Sequence, residues 1–290
     1  MSETVIRTLV YGLMTGGLYA VIAMGFSLQY GVARVINIAH GEFIMLGALV
    51  TYSLYTGFGI NPLLSLAISG PLFFLLGFLI HRSLFTSLRT RAASQGAYEG
   101  NSLLAAFGLL YVIQNIALLR WGGSIRSYSY LFTGVNIGGI VFLANRMVVL
   151  AVALVICVSF YFFLARTRLG KAIRAAAQDP TTAGLMGINI NRVLAICFGL
   201  GTFMAAAGGV LVSMLFTINP FVGMRYTVIA IIVVVLGGMG SIPGSLIGGL
   251  ILGIISSVVT TYQPALATAV FYGIFLVLLL VRPTGILGKK

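Results

Sequence analysis

The sequence predicts an all-α, polytopic membrane protein with about eight or nine transmembrane or re-entrant helices, and three observations carry that prediction. Of 290 residues, 60% are hydrophobic and only 7% charged, with a mean hydropathy of +1.11, whereas soluble domains carry about 25% charged residues. About 20 apolar residues cross a hydrocarbon core of roughly 30 Å, so the chain has room for on the order of eight or nine crossings with short loops and little for a soluble domain. The basic residues gather between the apolar runs, as cytoplasmic loops require. One transmembrane domain over residues 1–290 is expected.

The apolar runs fall at residues 5–28, 38–55, 62–80, 102–119, 147–164, 193–216, 226–237, 244–261 and 264–281. The first is too long for the apolar region of a signal peptide and no A-x-A site follows it, so it is read as a retained helix. Arg166, Arg168, Lys171, Arg174 and Arg192 flank one loop, Arg82, Arg89 and Arg91 occupy another, and Arg282, Lys289 and Lys290 close the chain. Taking these as cytoplasmic puts the Arg120 to Arg146 segment and the N-terminus outside. The parity depends on whether the short run at 226–237 crosses fully or re-enters.

Glycine recurs at small-xxx-small spacing in Gly12/Gly16, Gly244/Gly248 and Gly249/Gly253, which lets helix backbones approach closely in lipid. Most of these surfaces are expected to close helices on one another within the chain, and the rest to meet a second membrane subunit. Two places break the apolar pattern more severely than packing needs. One runs through Tyr30, Gly31, Arg34, Asn37, His40, Gly41 and Glu42, the other through Gly237, Gly238, Met239, Gly240, Ser241, Ile242, Pro243 and Gly244. Irregular backbone survives at membrane depth only when buried in protein or lining a wet cavity, so a Gly/Pro-interrupted segment in each half points to a translocation pathway. Tight turns at the interface are the alternative.

Glu42 is the acidic residue at the edge of a span, and an intramembrane ionisable group is a functional candidate. Against that, Asn37 is expected to N-cap a helix beginning at Ile38, where a carboxylate near the start suits the helix dipole. At 100° per residue Asn37 and His40 share a face while Glu42 points away from them.

The stretch from Thr167 to Asn189 is polar and Ala-rich. It reads as a helix from Leu169 to Gln178, a break with Asp179 as N-cap and Pro180 at the first position, and a second short helix. A small-residue surface bordered by Arg174 and Asp179 suits docking into another protein; a merely solvated connector would not need this helix propensity.

The formal net charge of +13 is read as topology rather than nucleic-acid binding, because no basic and aromatic stripe continues outside the spans. Cys157 and Cys197 lie within spans and read as core filler, and His40 and His81 have no neighbour at metal-ligand spacing. No G-x-x-x-x-G-K-[ST] occurs to bind a nucleotide, no G-x-S-x-G, and no second carboxylate beside Glu42. No cofactor, metal or catalytic site is expected in the chain itself.

Four motifs in order, Asn37-Ile-Ala-His-Gly-Glu42, Gly170 through Asp179 to Gly187-Ile-Asn189, Leu236-Gly-Gly-Met-Gly-Ser-Ile-Pro-Gly244, and Arg282-Pro-Thr-Gly-Ile-Leu-Gly288, closely resemble the LivH-type permease of branched-chain amino acid ABC importers. The resemblance implies a bacterial inner-membrane subunit that pairs with a second, LivM-like permease. It further implies two cytoplasmic ABC ATPases, which bind the ATP, and a periplasmic substrate-binding protein. The family's coupling element maps onto residues 166–191, with Gly170, Arg174, Ala175, Asp179, Ala183, Gly184 and Gly187 as contact candidates. Asn37, His40, Gly41, Glu42, Gly237, Gly238, Gly240, Pro243 and Gly244 are the pathway candidates. The loop from Ser83 to Asn101 departs from close LivH relatives, which leaves urea, short amides or other amino acids as alternative cargo. A self-sufficient channel and an intramembrane enzyme are the rivals from other classes.

Overall fold

The computed structural model describes residues 2–282 and 285–287; Pro283, Thr284, Gly288, Lys289 and Lys290 of the closing motif and tail lie outside the described residues. Every predicted apolar run is a helix. They are α1 (Ser2–Ala33), α2 (His40–Phe58), α3 (Pro62–Ile80), α5 (Gln95–Trp121), α6 (Ala144–Arg166), α9 (Ile190–Leu215), α10 (Gly223–Gly237), α11 (Ile242–Tyr262) and α12 (Ala267–Val281). Three short helices lie between them: α4 (Thr86–Arg91), reached from α3 through a π-turn at His81–Phe85, then α7 (Arg168–Gln178) and α8 (Pro180–Leu185). Seven segments are long and apolar enough to cross a membrane, while α10, with 15 residues, is too short for a full crossing.

α1 and α9 form the centre. Their most apolar stretches are 72% and 83% buried, against 28% for α5 and α6 and 6% for the last span, so the peripheral helices present apolar side chains to lipid or to another membrane subunit. The glycines decide how the centre closes. α11 runs antiparallel along α1, and a Cβ added at Gly12 or Gly16 would lie 2.7 Å from the backbone of Ile254 or Leu250. Gly249 and Gly253 meet Ala20 and Gly16 from the other side, and Gly248 packs on Val233 and Gly237 of α10. The small-residue stripes therefore close helices within this chain, as the spacing predicts.

The two ends of the bundle differ. At one end the segment between α5 and α6 forms an antiparallel hairpin, β1 (Gly134–Ile137) with β2 (Ile140–Leu143), turned by Gly138 and Gly139 at φ 60° and 88°. Arg7 donates to the Val141 carbonyl and Thr8 Oγ1 lies 3.4 Å from Thr261 Oγ1, so the start of α1 belongs to this hairpin end. The opposite, basic end holds α4, α7, α8 and the α10–α11 turn, and the Ile286 and Leu287 amides donate there to the Leu236 and Gly237 carbonyls. The start and the close of the described chain thus lie at opposite ends, and α10 runs toward the basic end without doubling back. The hairpin is the only sheet among the described residues, and the fold is the all-α polytopic bundle that the sequence predicts.

Candidate functional site

The first predicted break turns back into the bundle. Arg34 takes a left-handed φ of 53° and its amide donates to the Tyr30 carbonyl at 3.0 Å, which ends α1. Val35, Asn37 and Ala39 are then buried, and α2 starts at His40, whose Nε2 lies 3.1 Å from the Ile22 carbonyl. Eleven residues separate Ile22 from Ala33, about 16 Å of helix at 1.5 Å per residue, so residues 35–39 re-enter beside the last three turns of α1.

Gln29 holds this segment. Its Nε2 donates to the Phe198 carbonyl of α9 at 3.1 Å, and its Oε1 accepts from Asn37 Nδ2 at 3.2 Å and faces His40 Nδ1 at 3.3 Å. A neutral imidazole carries one N–H; donating it to the shorter contact, Ile22 O, leaves Asn37 as the donor to Gln29. From α10, Thr227 Oγ1 accepts from the Gly41 amide and donates to the Ile38 carbonyl, both at 2.9 Å. Asn37 is therefore not the helix cap: α2 begins two residues later than expected, at His40 after Ala39, and no side chain caps it. Asn37's amide faces a buried glutamine instead, and that bond at depth outweighs the local capping preference.

Asn37 and His40 share a face, and Glu42 points the other way, against the first turn of α10. A Cβ on Gly223 would overlap its carboxyl, and neither Glu42 oxygen has a hydrogen-bond partner among the described residues. The N-termini of α2 and α10 thus meet inside the bundle with one acidic side chain between them, where both helix dipoles favour negative charge. Gly41 is required by the same approach, since any Cβ there would overlap the Gly223 carbonyl.

The second break lies elsewhere. α10 ends at Gly237 and α11 starts at Ile242, with Ser241 Oγ accepting from the Gly244 amide at 3.1 Å. Gly238 and Gly240 have φ of 106° and 82°, and Gly240 packs on Gly31 where α1 ends. This is the tight turn at the end of the bundle rather than irregular backbone at depth, and it meets the first break at Gly31 rather than at Asn37, His40 or Glu42.

The polar stretch folds as its sequence predicts. Thr167 caps α7 through the Gly170 amide at 2.9 Å, and Gly170 sits against the backbone of Phe163 and Leu164, which fixes α7 to α6. Ile173 and Ala176 face inward, and Arg174 donates to the Ala165 carbonyl at 3.1 Å. Asp179 accepts from the Thr181 and Thr182 amides at 2.9 and 3.2 Å and from the Thr182 hydroxyl, and Pro180 opens α8. Gly187 at φ 86° ends the element, and Ala183 seats α8. Ala175, Asp179 and Ala183 line one shallow groove with Met186, and Gly184 lies over Ile190. Leu185 and Met186 are 84% and 80% exposed.

A cavity of about 310 Å³ joins the two stretches at the basic end. It lies between α1, α6, α7 and the α10–α11 turn, and Arg174, Gly31, Gly240 and Pro243 all line it. Candidates assigned separately from the sequence to docking and to the pathway thus share one space, while Asn37, His40 and Glu42 lie apart from it.

The Thr182 hydroxyl and the two amides hold the Asp179 carboxyl below its ordinary value of 3.8. A depressed carboxyl adds stability above the unfolded value and loses it as pH falls through the folded one. The Thr181 and Thr182 amides should therefore lose hydrogen-exchange protection, corrected for intrinsic rate, only below about pH 4. Asp179→Asn should cap without that acid transition.

Sequence reasoning missed Gln29 and Thr227. Each is one polar residue inside an apolar run, and the only signal was its presence there. Cys157 and Cys197 are buried free thiols, as expected of core residues.

A helical bundle crossing the membrane many times, with two helix ends meeting inside it and a capped helix pair projecting from its basic end, is the build of a polytopic membrane permease. The family described as "Branched-chain amino acid transport system / permease component" matches residues 8–281, and the chain belongs to it. It is 33% identical to the high-affinity branched-chain amino acid transport system permease protein BraD of Pseudomonas aeruginosa, over 98% of this chain and 96% of that one. It is 34% identical to the corresponding permease protein LivH of Escherichia coli K12, over 96% and 94%. Among solved structures, PsaBC from Streptococcus pneumoniae in complex with Fab is similar with a TM-score of 0.45 and 15% identity, over 98% of this chain and 92% of that one.

Proposed function

We propose that the chain is the membrane-spanning subunit of a binding-protein-dependent ABC importer of branched-chain amino acids in a bacterial inner membrane. It pairs with a second, LivM-like permease, is driven by two cytoplasmic ABC ATPases, and is loaded by a periplasmic binding protein. The projecting α7–α8 pair carries this reading, supported by what BraD and LivH are named for. Basic side chains surround that pair, which makes its end cytoplasmic under the positive-inside rule, and a channel would have no use for it.

Residues 166–191 then act as the coupling element. ATP-driven movement of α7 closes or opens the cavity it shares with Gly240 and Pro243, and the α10–α11 turn serves as the cytoplasmic gate. The buried Asn37–Glu42 segment borders the path further in, where backbone groups and helix ends meet a zwitterion. Only contacts that differ between the two states can drive such a change.

The test is uptake by proteoliposomes holding the assembled complex. Labelled leucine should accumulate only with ATP, both ATPases and liganded binding protein. Accumulation without the ATPases would make the chain a facilitator, and uptake of urea or acetamide in place of leucine would correct the cargo.

A further inference from the structure

A second cavity of about 310 Å³ opens at the hairpin end and is not used by the mechanism above. Tyr11 and Tyr19 of α1, Arg146 of α6, Arg225 and Tyr226 of α10 and Ser256 of α11 line it. Two guanidinium groups face it and no carboxylate does, among the described residues. Arg146 lies over the Tyr11 ring at 4.6 Å. Arg225 is exposed on the first turn of α10, where the unpaired helix amides add positive potential of their own. Beside it Tyr226 and Tyr19 are buried, and one residue further on Thr227 clasps the re-entrant segment at Ile38 and Gly41. The helix that lines the cavity with Arg225 and Tyr226 is thus the one that holds the re-entrant segment.

Arg225 and Arg146 concentrate positive charge on this one cavity. A guanidinium matches a carboxylate bidentately, tyrosine faces attract an ammonium, and the volume falls at the low end of small-molecule sites, roughly 300–1,000 Å³.

We infer that this cavity is the entry site of the permease, where Arg225 receives the α-carboxylate of an amino acid released at the hairpin end and the tyrosines receive its ammonium. The inference rests on the importer reading and adds a specificity-determining residue to it.

The experiment compares wild type, Arg225→Gln and Arg225→Lys in the full complex in proteoliposomes with saturating leucine-loaded binding protein, reading leucine imported per ATP hydrolysed. Losing a hydrogen-bonded charge pair predicts a fall of roughly tenfold to a hundredfold in that ratio for Arg225→Gln. Binding-protein-stimulated ATPase activity should persist, and Arg225→Lys, which keeps the charge but loses the bidentate fork, should recover part of the ratio. An unchanged ratio in Arg225→Gln, a parallel fall in ATPase activity, or loss of the second permease from the purified complex would each overturn the site, the last two by making Arg225 a docking or subunit contact. A wild-type complex that imports no leucine refutes the branched-chain amino acid reading instead, and shows it in the wild-type arm alone.

Discussion

Leu185→Asp combined with Met186→Asp should abolish ATP-driven uptake while the permease still reaches the membrane at normal level. Both side chains stand almost fully in the open on the last turn of the short helix, 84% and 80% exposed, outside every membrane-spanning segment. Single exposed apolar residues are ordinary, but two adjacent ones beside the groove formed by Ala175, Asp179 and Ala183 make a compact knob. Burying such a side chain contributes about 1.5–3 kcal/mol, so two contribute about 3–6 kcal/mol, a factor of roughly 10² to 10⁴ in affinity. Carboxylates in their place lose that and add a desolvation cost. The fold should tolerate the change, because α8 is seated by Ala183 and capped by Asp179 on its other side. Recovery of the ATPases on a tagged permease is the direct measurement, with leucine uptake beside it; full recovery of the ATPases from the double variant would remove α8 as the docking element.

How much of this was legible in the sequence follows the range of the interactions. Elements set by local pattern read correctly: the positions of the apolar helices, the Asp179–Pro180 break, and the glycine stripes, whose spacing alone says that two backbones approach. The Gly138–Gly139 pair between two short apolar runs is also a local hairpin signal. What local pattern cannot carry is which polar residues meet. Asn37 has the chemistry of a helix cap and sits at the right place for one, so nothing nearby reveals that Gln29, eight residues upstream on the preceding helix, takes its side chain instead. Gln29 in turn is anchored to Phe198, 169 residues away. The same holds for the cytoplasmic cavity, where Arg174 and Gly240 become neighbours only because α11 lies along α1 and α7 folds back on α6.

Gln29→Leu should destabilise the buried segment, although leucine is close to glutamine in size and Gln29 touches neither end of the bundle. The change leaves the Asn37 amide facing hydrocarbon, while the Phe198 carbonyl keeps the Thr202 hydroxyl at 3.2 Å. One buried donor left without a partner costs about 1–3 kcal/mol, a sizeable share of a typical total of about 5–15 kcal/mol. Read as a thermal midpoint in detergent, that is a drop of roughly 2–10 °C. Asymmetry distinguishes the network from simple packing: replacing both ends of the Gln29–Asn37 pair by apolar groups removes the stranded donor together with its acceptor. The double variant Gln29→Leu with Asn37→Leu should therefore be less destabilised than the two single variants added together, by about 0.5–3 kcal/mol. Strict additivity would mean that the two side chains do not depend on each other, and that the re-entrant segment is held by Thr227 alone.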